Sequence, residues 1–112
     1  MKIHRSALRG KDIRQGNEKL VLRLIQREGL LSQSEAVELT GLKAPTILRI
    51  FTNLEDSGYI KISEVPKEIT EKKGRKPVFY SLNADALYVA GVEFWSMSAT
   101  VVISNFVREP VY

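Results

Sequence analysis

Residues 30–60 read LLSQSEAVELTGLKAPTILRIFTNLEDSGYI, and this stretch decides the fold. Its pattern predicts two short helices joined by a tight turn at Gly41, followed by a strand. A second apolar strand, at 78–82, comes after a basic loop, so the two strands are expected to form a hairpin with a basic tip. This order of elements is typical of a winged helix-turn-helix, a mainly α fold with a β wing (class α+β).

Local signals set the boundaries of the first two helices. The first is expected to have Asn17 as its N-cap and to end at Gly29. Ser32 and Glu35, three residues apart, predict a capping box that opens the second helix, and Gly41 is expected to close it. Residues 30–31 are expected to form a short extended link. The predicted apolar face of the first helix consists of Leu20, Val21, Leu24 and Ile25.

The third helix is predicted to begin near Ala44 and to end at Gly58, with Pro45 in its first turn. Four apolar residues follow helical spacing and predict a buried face: Ile47, Ile50, Phe51 and Leu54. The opposite face presents the candidate base-reading set: Pro45, Thr46, Leu48, Arg49, Thr52 and Asn53.

Composition excludes several kinds of chemistry. The 112 residues contain no cysteine and one histidine, so disulfides and thiolate metal sites are excluded, and no metal or cofactor is expected. No apolar run approaches the roughly 20 residues of a membrane helix, and the N-terminus has no signal-peptide core. These features predict a cytoplasmic protein that does not enter membranes.

The net charge of +4 is unevenly distributed. Residues 1–14 carry five basic side chains against one acidic, and residues 61–80 carry six against three. The rest of the chain is slightly acidic. Positive charge therefore concentrates in the N-terminal arm and the hairpin, the parts that a winged helix lays against phosphates, which predicts double-stranded DNA as the partner.

The C-terminal residues differ in character. Two apolar, β-branched runs at 87–94 and 99–103 predict strands of a second sheet, and a third short run follows at 107–112. We therefore expect a DNA-binding domain at 1–83 and the beginning of another domain at 84–112.

A series of short motifs in this order resembles the ROK family (repressor, open reading frame, kinase), specifically its sugar-responsive repressors of the xylose, glucose and N-acetylglucosamine type. The series consists of Arg14, Asn17, Leu31-Ser32, Thr40-Gly41-Leu42, Pro45-Thr46-Ile47, Arg49-Ile50, Leu54, Gly58-Tyr59-Ile60, Gly74-Arg75-Lys76-Pro77 and Leu82-Asn83.

The resemblance implies a winged helix followed by the first strands of a truncated actin-like, sugar-kinase-like domain. It also implies a transcriptional repressor of sugar-related genes, a palindromic operator, a homodimer, and a sugar effector for the full-length protein only. The kinases of the family carry an Asp-x-Gly motif, but residues 93–96 here read EFWS, so no phosphate loop and no enzymatic activity are expected. Lys43, Ala44 and Leu48 also depart from the family pattern, so a relative's operator should not be carried over.

Arg49 is the predicted reader of guanine, since arginine can contact guanine O6 and N7 together. The alternative is that Arg49 forms only a surface ion pair with Glu55 or Asp56. Asn53 is expected to pair with adenine or to contact a phosphate, and Pro45 and Leu48 offer apolar contact to thymine methyl groups. The residues expected on phosphates are Lys43, Thr46 and Thr52.

The basic loop resembles an AT-hook core. Arg75 is expected to enter an A·T minor groove, because Gly74 permits close backbone approach. Lys72, Lys73 and Lys76 are expected on the DNA backbone. The alternative is a flexible linker with solubilising charge. For the whole chain, the alternative function is a winged helix that docks another protein without binding DNA.

Overall fold

A computed structural model of the chain describes residues 10–64 and 77–112. The described elements, in chain order, are α1 (Gly10–Glu28), β1 (Leu31–Ser32), α2 (Gln33–Thr40), α3 (Ala44–Asp56), β2 (Ile60–Ser63), β3 (Phe79–Leu82), β4 (Val89–Trp95) and β5 (Ser98–Ser104). Helices with a small antiparallel sheet confirm the α+β class and the winged helix-turn-helix arrangement.

Helix α1 is longer than the sequence predicts. The expected start at Asn17 is wrong, because the helix begins at Gly10 and Asn17 lies within it. Asparagine costs a helix interior less than about 1 kcal/mol, so a cap signal need not stop a helix that continues on both sides. Asp12 in the first turn also favours the earlier start, since a carboxylate near a helix N-terminus is stabilising.

The apolar face of α1 is rotated slightly from the predicted one. Val21, Leu24 and Ile25 are buried, but Leu20 is 42% exposed. Leu22, on the other flank, is half-buried and packs against the core instead. Since successive helical residues are separated by about 100°, a small rotation exchanges one flanking residue for another.

The first sheet has the strand order β1-β3-β2, and every pairing is antiparallel. Leu31 in β1 lies opposite Tyr80 in β3, so the expected extended link is in fact a strand of this sheet. On the other side of β3, Ile60 lies opposite Leu82. The strands predicted at 59–65 and 78–82 are confirmed with shorter bounds, and residue 65 lies outside the described part.

The core joins all three helices to this sheet. Its buried members are Val21, Leu24, Ile25, Leu31, Ala36, Ile47, Ile50, Phe51, Leu54, Ile60 and Tyr80. The four predicted inner residues of α3 are all among them. Phe51 meets Tyr80 edge-on with a ring-centroid distance of 4.9 Å, which fixes the position of α3 against β3.

Both predicted helix caps between α1 and α3 are confirmed. The Ser32 hydroxyl oxygen accepts a bond from the backbone N–H of Glu35 at 3.2 Å, and the Ser32 N–H donates to the Glu35 carboxylate at 3.3 Å. Gly41 takes the left-handed conformation with φ of 72°, and its N–H donates to the Val37 carbonyl at 2.9 Å. These two caps hold α2 at a defined length and so fix where α3 begins.

The second sheet is a separate antiparallel hairpin of β4 and β5, as predicted. Three apolar pairs share one of its faces: Ala90 with Ile103, Val92 with Val101, and Phe94 with Ala99. The expected third run forms only an isolated bridge between Pro110 and Ser104, extended by a bond from the Val111 N–H to the Ile103 carbonyl at 2.8 Å. Every residue of β4 is exposed to solvent.

Candidate nucleic-acid interface

The outward face of α3 carries the predicted base-reading residues. Burial of the inner face by the core turns the opposite face toward solvent. Pro45, Leu48, Thr52 and Asn53 are exposed, while Thr46 and Arg49 are half-buried. Leu48 is 54% exposed and lies on the side of α3 opposite its buried face. The fold therefore exposes four of the six predicted residues and half-buries the other two.

Arg49 has no acidic partner among residues 10–64 and 77–112. The alternative of an ion pair with Glu55 or Asp56 is not observed there, since the ion pair that forms in this part of the chain joins Arg27 to Glu28 at 3.3 Å. The guanidinium of Arg49 is thus free to meet a ligand from solvent, with its five donors in a planar fork.

Thr52 is partly engaged within its own helix. Its hydroxyl donates a hydrogen bond to the Leu48 carbonyl at 2.8 Å. The oxygen lone pairs remain available, but the hydroxyl proton is already used, so the side chain would act on DNA mainly as an acceptor. That geometry fits a phosphate contact, which requires a donor, less well than the sequence suggested.

Lys43 occupies the N-cap position of α3. Its backbone is extended, as at most N-caps, but its ammonium has no acceptor to cap the helix, and the residue is exposed. Its carbonyl accepts the Ile47 N–H at 3.0 Å, which begins the helix. A lysine at this position adds a positive charge to the positive end of the helix dipole, an arrangement that favours a bound anion.

The predicted minor-groove loop lies outside the described residues. Lys72, Lys73, Gly74, Arg75 and Lys76 all fall between residues 64 and 77. The strands on either side of them are paired, with Ser63 opposite Phe79, and the Ser63 and Ser81 hydroxyls are hydrogen-bonded. The end of β2 and the start of β3 therefore lie side by side.

A cleft of about 580 Å³ separates α3 from the base of this loop. Leu48 lines one side, and Pro77, Val78 and Tyr80 line the other. The N-terminus of α2 completes the cleft with Ser32, Gln33 and Ser34. Gln33 and Ser34 are not among the site residues predicted from the sequence. The capping box at Ser32 does predict that a helix begins there.

Residues 10–64 and 77–112 contain few other features that would indicate a binding site. This part of the chain holds no group of three or more potential metal ligands, and no helix in it is long and apolar enough to cross a bilayer. A hydrogen bond from the Tyr88 hydroxyl to Asp85 Oδ1 at 2.6 Å, together with the carboxylate charge, raises the pKa of Tyr88 above its usual value. That pair lies in the C-terminal segment and not on α3.

Comparison with known proteins agrees with this geometry. A family model described as winged helix-turn-helix DNA-binding matches residues 14–61. The chain is 27% identical over 100 residues to a xylose repressor of Caldicellulosiruptor bescii, which covers 89% of this chain and 24% of that protein. It is 35% identical over 63 residues to an uncharacterized protein of Methanocaldococcus jannaschii, covering 54% of this chain and 13% of that one.

The chain thus spans about a quarter of the repressor and a smaller share of the archaeal protein. The matched residues run from α1 to β2 and include all of α3. Fold and likeness together support a DNA-binding winged helix-turn-helix, with double-stranded DNA as its partner. The matching family model describes a DNA-binding domain, and the bacterial relative is named as a repressor.

Proposed function

We propose that the chain reads a specific DNA sequence with α3 in the major groove, and that Arg49 is the principal reader, bidentate on guanine. The observation that carries this proposal is the open face of α3, where Arg49 stands without an acidic partner among the described residues. A bidentate arginine–guanine contact discriminates by about 1–3 kcal/mol against other bases.

The other residues of the α3 face divide by chemistry. Asn53 is proposed to contact adenine or a phosphate, and Leu48 and Pro45 are proposed to meet thymine methyl groups. Lys43, Thr46 and Thr52 are proposed to face phosphates, with Thr52 the weakest of them because its proton is engaged at the Leu48 carbonyl. The α2 terminus, with Gln33 and Ser34 in the cleft beside Leu48, adds a further candidate phosphate contact.

The basic loop is proposed to lie along the adjacent minor groove. Arg75 would enter the groove beside Gly74, and Lys72, Lys73 and Lys76 would neutralise phosphates. What supports this proposal is the basic composition of residues 72–76, together with Pro77 and Val78 just after them, which line the cleft beside Leu48.

The regulated genes are proposed to concern sugar metabolism, and the chain is proposed to belong with the ROK repressors. Support comes from the motif series in the sequence and from the xylose repressor likeness. On this proposal residues 84–112 begin an effector domain of the actin-like, sugar-kinase-like kind, which takes a sugar in the full-length protein. A two-fold symmetric dimer on a palindromic operator would follow, because half-sites mirror the symmetry of the protein.

The test is fluorescence anisotropy of the chain on a labelled duplex from its own upstream region and on a random duplex, over a series of salt concentrations. Each phosphate that the protein neutralises lowers the logarithmic salt slope by about 0.9. We expect tighter binding to the upstream duplex, a steep fall with salt, and a slope reduced by about 1 in Lys43→Ala.

Arg49→Ala should remove the preference for the upstream duplex and leave binding to the random duplex nearly unchanged. Arg27→Ala is the matched control, since Arg27 is an exposed arginine on α1, away from α3. Arg75→Ala should weaken binding chiefly where the flanks are rich in A·T pairs. A preference that survives Arg49→Ala would refute the assignment of Arg49.

The competing function is a winged helix that docks another protein. It predicts no binding to either duplex at low salt. Weak and equal binding to both duplexes would instead mean that the 112-residue chain needs dimerisation to select a site, and covalent linkage of two chains should then restore the preference.

A further inference from the structure

A second concave site, of about 260 Å³, lies between α1 and the turn that follows β5. Its half-buried lining is apolar and consists of Leu22 of α1, Leu82 of β3 and Phe106. Tyr59, which does not line the pocket, packs against Phe106 at a ring-centroid distance of 5.7 Å and helps to hold that ring in position. The bottom of this pocket is thus a preformed apolar surface with one aromatic face.

The exposed lining of the same pocket is basic. Lys19 and Arg23 stand four residues apart on one face of α1, and Arg108 stands across from them. Within residues 10–64 and 77–112 no ion pair of these three side chains with a carboxylate is found. Three cations around an apolar surface, without acidic side chains in the lining, create a local field that attracts an anion.

The backbone around Arg108 is built to hold that residue in position. Arg108 has φ of 66°, the left-handed region that a non-glycine residue seldom adopts. Asn105, 9% exposed, stabilises the turn: its side-chain Oδ1 accepts the Val107 N–H at 3.1 Å and the Glu109 N–H at 2.9 Å. Backbone strain that the surrounding structure enforces in this way is concentrated at functional positions.

We propose that this pocket binds a small organic anion, with an apolar or aromatic body on Phe106 and a carboxylate or phosphate group among Lys19, Arg23 and Arg108. Arginine forks match both groups, so the shared chemistry is an anionic head on a hydrophobic body. A sugar fits the apolar lining poorly. The site contains no residue of α3, so it stands apart from the DNA-reading face and does not depend on the proposed function.

The probes are benzoate and phenyl phosphate, with neutral benzamide and inorganic phosphate as partial ligands. We would follow their addition to the isotopically labelled 112-residue chain by amide chemical shifts in NMR. Benzoate and phenyl phosphate should both shift amides at 19–26, 82 and 105–109 in a saturable way. A tighter phenyl phosphate would assign the natural head group as a phosphate, and a tighter benzoate as a carboxylate.

Two variants and one control test the cations. Arg23→Gln removes one charge, and Arg108→Asn removes another while keeping a residue that tolerates the left-handed backbone. Each should weaken the better probe about threefold, and together they should weaken it about tenfold, since partly exposed charge contacts are individually modest. Arg27→Gln on the same helix, outside the pocket, should leave the affinity unchanged.

Several outcomes would overturn the proposal. If benzamide binds as tightly as benzoate, the charge of the ligand does not contribute to binding. If inorganic phosphate binds as tightly as phenyl phosphate, the apolar surface does not contribute. Loss of probe binding in Arg27→Gln would show general attraction to a basic chain. If Arg23→Gln and Arg108→Asn weaken DNA binding and leave the probes unaffected, these cations belong to the DNA interface instead.

Discussion

The two sheets of this molecule differ in their exposure to solvent. In the first sheet, Ile60 and Tyr80 are buried against helices, and three helices share one core with the strands. In the β4–β5 hairpin every residue of β4 is exposed, and Phe94 and Trp95 are 78% and 69% exposed. Both regions are rich in apolar residues, so composition does not distinguish them.

The contrast shows that an apolar sequence pattern can predict a strand without indicating which element the strand packs against. A two-stranded hairpin alone is marginally stable in water, whereas strands that pack on helices gain stability from burial. The buried core of the described residues therefore lies in the helices and the first sheet. The hairpin segment contacts the helical part through Phe106, whose ring packs on that of Tyr59 at a centroid distance of 5.7 Å.

The largest effect that separates the two regions is expected from paired phenylalanine truncations. Phe51→Ala should cost about 3–5 kcal/mol of unfolding free energy, because it leaves a cavity beside Tyr80 in the core. Phe94→Ala should cost less than about 0.5 kcal/mol, as surface substitutions usually do. Chemical denaturation of both variants checks this. Equal losses of unfolding free energy would mean that Phe94 is buried in solution and that the two regions do not differ in burial.

Paired glycine substitutions should separate the regions by a smaller amount. Gly41→Ala forces a side chain into the left-handed region at φ of 72° and should cost about 1–2 kcal/mol, although no atom lies within 4 Å of the added carbon. Gly91→Ala in β4 meets open space without a positive φ and should be neutral or slightly stabilising. The shift in melting temperature measures both; a neutral Gly41→Ala would contradict the assigned turn.

Loss of the α2 cap should cost about 1 kcal/mol. Ser32→Ala removes the hydroxyl that accepts the Glu35 N–H and leaves the Glu35 carboxylate with a weaker partner. Ser96→Ala, at an exposed position after β4, is the control and should lie within about 0.5 kcal/mol of the parent. Urea unfolding curves measure the difference, and equal midpoints would mean that the capping box does not stabilise the helix.

The smallest effect is a titration within the C-terminal segment. The hydrogen bond to Asp85 raises the pKa of Tyr88, because the neutral phenol donates it and a phenolate would face a carboxylate. The stabilising contribution should be complete below the ordinary tyrosine pKa and lost as pH rises through the raised one. Difference absorbance against Tyr88→Phe gives the pKa, and Asp85→Asn should lower it. An unchanged value would mean that the contact does not persist in solution.

Periodicity succeeded where one face of an element is buried by its neighbours. Ile47, Ile50, Phe51 and Leu54 were identified from their spacing, and all four are in the core. The caps at Ser32 and Gly41 were also readable, because each depends on residues within one helical turn. The outward set on α3 followed as the complement of the buried face. Its individual contacts with DNA remain predictions.

Local reasoning failed where a neighbour distant in sequence decides the outcome. Asn17 had the signature of a cap but lies within α1, and Leu20 is exposed while Leu22 turns toward the core. The strand at Leu31 exists because Tyr80, about fifty residues later, supplies its backbone partner. Such pairings depend on the whole topology, and no window of adjacent residues contains them.

The sequence by itself determined the helix-turn-helix, its two caps, the polar face of α3 and the uneven charge, since each depends on the chemistry of neighbouring residues. Tertiary structure decided the third strand of the first sheet, the solvent exposure of the hairpin, and the pocket that gathers Lys19 and Arg23 with Arg108. Those features join residues far apart in the chain. They form only when the folded core brings these residues together. The periodicity of apolar side chains along the chain does not indicate which distant residues will meet.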